Sequence, residues 1–250
     1  MVDIFQPARS EASRESGNES LMSERLTIKQ GPRAKVGPAA QSAFEAIRNG
    51  AVIVAPIEHS YVFVADAFNH NAVAKIHRLR GDDLGVATQV LIRDASVVKG
   101  IGYGFHEGAD ALAKYFWPGM LTIITPAQRG LTWNLGDSKE LGKVALRVPS
   151  NRFMTALLAL SGPLAIASAA PARAKPPRNA NMIPALDSDL AYIVDAGELP
   201  EHPSGAASTI VEIKGKEIEI IREGAISVEE LITTHPSVVR PSASSSEPTA

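Results

Sequence analysis

The 250-residue sequence contains no cysteine. That excludes a disulfide framework, a thiolate nucleophile and a cysteine-based zinc site, and it fits a reducing cytoplasm. No uninterrupted apolar run approaches the roughly 20 residues that span a bilayer, and the N-terminal stretch lacks the apolar core of a signal peptide. A cytoplasmic protein without membrane contact is expected. Net charge is also missing: 25 Lys and Arg stand against 27 Asp and Glu, so no global field draws the chain to nucleic acid or anionic lipid. Glycine-rich phosphate loops of the dinucleotide and Walker types are absent. The histidines, at 59, 70, 77, 106, 202 and 235, are scattered, and no Ser-His-Asp or Glu-x-x-His grouping occurs. Hydrolase-triad and metal-centre readings therefore have no support.

What is present is a 45% hydrophobic chain, enough for one sizeable core. Residues 1–34 are rich in Ser, Glu, Arg and Gly and poor in periodic apolar residues, so they are expected to form an N-terminal tail, with Met22 as a candidate start. Residues 236–250 read as a C-terminal tail, leaving a folded domain over 35–235. Within it, Gly37-Pro38 opens a helix carrying Ala43, Phe44 and Ile47 on one face. Asn69 caps another with Val73, Ile76 and Leu79 at helical spacing, which stops at Gly81. Asn151 and Ser227 cap later helices. Apolar strands are expected at 51–55, 60–67, 88–92, 120–124, 142–149, 163–167, 190–195, 208–213 and 217–222, the last two joined as a hairpin. Interleaved strands and helices with a closing hairpin predict an α/β single domain: a twisted, open mixed sheet with flanking helices.

The stretch Tyr115–Ala127 (YFWPGMLTIITPA) organises the chain, since Pro118 ends a helix and Gly119 relieves the backbone before a core strand. Phe116 and Trp117 read first as core packing. Charge is unevenly placed: Lys139, Lys143, Arg147, Arg152, Arg173, Lys175 and Arg178 face the single acid Glu140 in that span. Several fall where strands run out into loops, which implies an anionic ligand. Taken singly, Lys139, Lys143 and Arg152 read as solvated surface. Arg147 interrupts an apolar strand, and a buried arginine needs an acceptor, either a protein carboxylate or a carboxylate or phosphate of a ligand. Ser168 and Ser208, at strand ends, can offer hydroxyls or simply cap turns. Asp82-Asp83 can hold Mg²⁺ or stand solvated.

The aromatic-Pro-Gly turn, Val144–Pro149 (VALRVP), Pro163–Ser168 (PLAIAS) and Ser208–Val211 (STIV) form an ordered series that resembles the YrdC-like family of L-threonylcarbamoyladenylate synthases over roughly 37–232. The resemblance implies a nucleotidyltransferase that binds ATP, threonine and bicarbonate and makes threonylcarbamoyl-AMP for tRNA modification. Positioning and positive charge do the catalysis, with no covalent intermediate. Residue by residue it places Arg80, Lys143, Arg178 and Arg222 at ATP. It places Glu58, His59, Tyr61, Arg147, Ser168 and Ser208 at the amino acid, threonine or another.

Departures accompany the match. Ile57 and His59 replace motif threonines, Val62 a glycine, Ala170 an asparagine, Ala207 a glutamate and Glu223 a proline. Asp82 stands where a phosphate-binding arginine belongs, so Asp82→Arg is expected to strengthen ATP binding. Three readings follow: an active synthase, with Asp82 or Asp83 recruiting Mg²⁺; a paralogue making another carbamoyl adenylate; and a non-catalytic protein binding nucleotide or double-stranded RNA through a basic concave surface.

Overall fold

Proline's fixed φ suits a helical first turn, whose N–H groups lack acceptors anyway, and α1 accordingly runs Gly37–Arg48 with Ala40, Ala43 and Ile47 buried. The computed structural model describes residues 23–183, 190–205 and 207–240; the outer parts of the assigned tails, 1–22 and 241–250, lie outside them. Asn69 accepts from the Ala72 N–H at 3.1 Å to start α2 (His70–Arg80), and Gly81 ends it in the left-handed region at φ 64°. A short α3 (Val98–Ile101) and α4 (Glu107–Phe116) follow. Asn151 caps α5 (Arg152–Ser161), and Ser227 with Glu230 forms a capping box on α6 (Val228–Thr234).

The strands are β1 (Glu24–Thr27), β2 (Val52–Pro56), β3 (Tyr61–Asp66), β4 (Gln89–Leu91), β5 (Leu121–Pro126), β6 (Lys143–Arg147), β7 (Leu164–Ser168), β8 (Leu190–Asp195), β9 (Thr209–Lys214), β10 (Glu217–Arg222) and β11 (Val238–Val239). They form one sheet in the order β1-β8-β2-β3-β7-β4-β6-β5-β9-β10-β11. Five neighbouring pairs are parallel and five antiparallel, so the mixed sheet expected from the closing hairpin is present. Two strands correct the expected boundaries. β1 lies inside the assigned 1–34 tail and β11 inside 236–250. Neither has an apolar period of its own. β1 is held by its ladder to β8 and by Arg25, which donates to Asp195 at 2.6 Å and to Asn181 at 2.9 Å.

Each face of the sheet buries a different set of side chains because strand residues alternate. On one face Val54, Phe63, Val90, Ile123, Leu146 and Val211 pack with Val73, Ile76, Leu112 and Leu231 of α2, α4 and α6. On the other, Ile53, Val62, Val64, Leu91 and Ile166 pack with Ala43, Ile47, Phe153 and Leu157 of α1 and α5. The helices α1 and α5 lie over β2, β3 and β8, at one end of that second face. Toward β9 and β10 the face opens into a cavity.

Candidate active site

The cavity holds about 560 Å³, and its walls include Glu58, His59, Arg80, Arg147, Ser168, Arg178, Ser208 and Arg222. Eight of the ten side chains assigned to ligands from sequence thus come together, although they derive from loops and strands spread over 165 positions of the chain. The other two do not. Lys143 sits at the opposite end of β6 from Arg147, about 13 Å along the strand, and donates to Glu212 at 2.6 Å. Tyr61 is fully buried beneath the site. Its hydroxyl donates to the Gly197 carbonyl at 2.7 Å and accepts from the Ala196 N–H at 2.9 Å. Burial chiefly, with the Asp195 carboxylate adding, pushes the Tyr61 phenol up to about 12 against the Ala196 hydrogen bond.

Arg147 finds a protein carboxylate while still lining the cavity. One terminal nitrogen meets Glu58 at 2.6 Å and Met120 Sδ at 2.9 Å, while Nε donates to the Gly119 carbonyl at 2.8 Å. The Pro118-Gly119 turn, whose Trp117–Pro118 peptide is cis, therefore supplies an acceptor that orients the arginine. Glu58 holds its other oxygen on the Ser150 N–H at 2.6 Å and hydroxyl at 3.1 Å. Burial holds the Arg147 guanidinium below its ordinary value, with the Glu58 charge opposing the shift. The pair is a structural ion pair in the cavity wall.

Arg80 is also engaged. Its Nε faces both Asp82 oxygens, at 3.0 and 2.9 Å, and one terminal nitrogen donates to the Ser168 and Ala170 carbonyls at 2.6 and 2.9 Å. Asp82, with 4% of its side chain exposed, also meets His77 Nδ1 at 2.9 Å. Asp82 thus neutralises the arginine two residues before it. The Asp82-Asp83 pair does not fit Mg²⁺: Asp82 is committed, and Asp83 faces Arg173 at 3.3 Å on the surface. Among the described residues no three His, Asp or Glu side chains are grouped to hold a metal. Arg178 donates to the Leu199 carbonyl at 3.0 Å and pairs with Glu201 at 3.2 Å and Glu198 at 3.5 Å.

Arg222 is different. Its terminal nitrogen donates to the Ser208 carbonyl at 2.7 Å, and among the described residues no carboxylate pairs with it. Burial alone lowers its pKa. Gly224 allows the approach, because a Cβ there would collide with the Ala207 carbonyl oxygen and the Ser208 backbone. Thr209 ties this corner together by accepting from the Gly224 and Ile226 N–H groups at 3.0 and 2.9 Å. Gln89 donates to Thr122 at 2.6 Å and Thr122 to Ser208 at 3.2 Å, so the Ser208 oxygen already accepts and its own proton is available to a ligand. Among the described residues the buried Ser168 Oγ has no hydrogen-bond partner, so its bonding capacity is open.

Sequence reasoning missed Gln89, Thr122, His77, Glu201 and His202. His202 stacks edge-on against His59, with ring centroids 5.0 Å apart, at the cavity wall. The polar Gln89 and Thr122 interrupt apolar strands, which was a legible signal. Nothing local marks His202 or Glu201, which reach the cavity on a loop.

The site is thus a cavity on an open mixed α/β sheet, walled by arginines and serine hydroxyls. Residues 45–224 match the model of the Sua5/YciO/YrdC family, described as telomere recombination, and the chain belongs to that family. It is 33% identical over 191 residues to a Mycobacterium tuberculosis protein provisionally named threonylcarbamoyl-AMP synthase, covering 76% of this chain and 86% of that one. It is 30% identical over 196 residues to the threonylcarbamoyl-AMP synthase of Bacillus subtilis, covering 78% of this chain and 56% of the relative. The structure of Pyrococcus abyssi Sua5 complexed with L-threonine superposes with a TM-score of 0.75 at 24% identity, over 87% of this chain and 62% of that one; that likeness carries the fold. No helix among the described residues is long and apolar enough to cross a membrane.

Proposed function

We propose that this protein is a threonylcarbamoyl-AMP synthase, joining ATP, bicarbonate and L-threonine into threonylcarbamoyl-AMP and pyrophosphate for modification of tRNA in the cytoplasm. The observation that carries the reading is convergence: Arg147, Ser168, Ser208 and Arg222, from four separate segments, line one cavity, in a chain a third identical to a relative of that provisional name. In the reaction the threonine amine takes up carbon dioxide from bicarbonate, forming the N–C bond of a carbamate with loss of water. A carbamate oxygen then attacks the α-phosphorus, and the bond to the β-phosphate oxygen breaks, so that pyrophosphate leaves with the electron pair.

The chain's own residues orient the reactants and balance charge. Arg222, with no acid partner, meets the α-phosphate; Ser208 and Ser168 donate hydroxyl protons to ligand oxygens; Arg147, held by Glu58 and Gly119, faces the amino acid's carboxylate. Such preorganised donors act strongly in a partly desolvated site. The alternative assignment, a non-catalytic protein binding double-stranded RNA, draws less support. Five cations and three acids line the cavity, a modest excess that suits a small anion better than a polyanionic backbone. The test is threonine-dependent release of pyrophosphate from ATP in bicarbonate buffer, with the adenylate identified by mass spectrometry. No release with threonine or any other amino acid overturns the reading.

A further inference from the structure

The cavity's cations differ in how much of their charge is already spoken for. Arg80 is neutralised by Asp82 through both carboxylate oxygens and has two backbone carbonyls on a terminal nitrogen. Arg147 is neutralised by Glu58 and Arg178 by Glu198 and Glu201. Lys175 stands 84% exposed with Glu201 at 4.0 Å, where water screens it. Arg222 faces the cavity with no carboxylate against it among the described residues and with the proton-donating Ser208 beside it. One phosphate can therefore be gripped without displacing an internal anion. A second and third would meet arginines whose charge Asp82, Glu58 or Glu201 already balances, or rest on a solvated lysine. Those carboxylates stay in the same cavity as the incoming phosphates and oppose them.

We propose that this cavity recognises an adenylate rather than a triphosphate: AMP and carbamoyl-AMP bind at least as tightly as ATP, and the β- and γ-phosphates add almost no affinity. The proposal rests on the nucleotide reading of the site given above. Its consequence for turnover is that pyrophosphate departs readily while the adenylate product is retained until an acceptor takes it. Asp82 is the chief determinant, because it puts a fixed negative charge where a further phosphate would otherwise meet Arg80.

Titration calorimetry on the full chain with AMP, ADP and ATP, in magnesium-containing buffer, tests this. The expected result is that the three dissociation constants agree within about threefold, whereas each charge-assisted hydrogen bond to an added phosphate would give on the order of tenfold or more. ATP binding at least about tenfold tighter than AMP overturns the proposal alone and leaves the synthase reading to the pyrophosphate assay. Binding of none of the three overturns both. Asp82→Asn keeps an acceptor for Arg80 but removes the charge, and it should tighten ATP relative to AMP by about tenfold; an unchanged ratio refutes the role given to Asp82. If thermal melting shows that Asp82→Asn does not fold, Glu201→Gln, on an exposed loop, should move the ratio in the same direction by a smaller factor. No movement there overturns the argument that internal carboxylates set the preference.

Discussion

Removing Arg147 is expected to unfold the protein several degrees early, because it strands a buried acid. The Arg147 and Glu58 side chains are 6% and 8% exposed and meet at 2.6 Å. Deleting one partner of such a pair costs about 3–5 kcal/mol, since the survivor keeps its desolvation penalty and loses its counter-charge. Ser150 continues to donate its N–H and hydroxyl to the other Glu58 oxygen, which places the loss near the lower bound. At about 2–4 °C per kcal/mol for a chain of this size, Arg147→Ala should lower Tm by roughly 6–12 °C. The assay is differential scanning calorimetry on wild type, Arg147→Ala, Glu58→Gln and the double variant Arg147→Met/Glu58→Gln. The double variant should regain at least half the loss, because no buried charge remains uncompensated. A single-variant shift below about 2 °C, or a double variant as unstable as the two singles added together, would refute the structural ion pair.

Arg222→Ala should weaken AMP and ATP binding by about tenfold or more while moving Tm by less than about 2 °C, because the arginine has no carboxylate to strand; calorimetric titration beside a melting curve separates the two effects. Asp82→Arg should cost about 3 kcal/mol or more in a urea melt, since it sets a second guanidinium against Arg80 and takes the carboxylate from His77 Nδ1. Gly224→Ala should destabilise by about 2 kcal/mol and weaken nucleotide binding, as the new methyl pushes Ser208 away from Arg222; urea melts and titrations read both. Tyr61 titrates near 10 in an unfolded chain but is pushed up to about 12 in the fold. The folded state therefore keeps its proton while the unfolded state loses it: the stabilisation is complete below pH 10 and is lost as pH rises toward 12. Urea midpoints across that range should fall in wild type and fall less in Tyr61→Phe.

Elements with local signals were legible before any coordinates. The Asn69, Asn151 and Ser227 caps and the Gly81 stop fall where the sequence puts them, because a cap is a contact between residues three apart. The edge strands β1 and β11 were not legible: both are too short to show a period, and partners far along the chain impose their conformation. The site divides the same way. Ser168 and Ser208 could be read from strand ends and Arg147 from the apolar strand it interrupts, while Arg222 came only from the family resemblance. The neutralisation of Arg80 by Asp82 could not be read, since it depends on the turn of the chain after α2. Asp82 looked like a fault in a phosphate loop and is instead the counter-ion of its neighbour. Lys143 was misplaced because a cation at the start of a strand and one at its end look alike in sequence.

The strand order has a consequence for biosynthesis. Thr209 of β9 pairs with Leu121 of β5, and Tyr192 of β8 with Glu24 of β1, so both halves of the sheet close only when distant segments meet. Ser208 and Arg222 follow every other cavity residue named above in the chain. A chain emerging from the ribosome therefore completes β2 to β8 before the β9–β10 hairpin exists, and until that hairpin docks the margin of β5 is an unpaired strand edge open to misassembly.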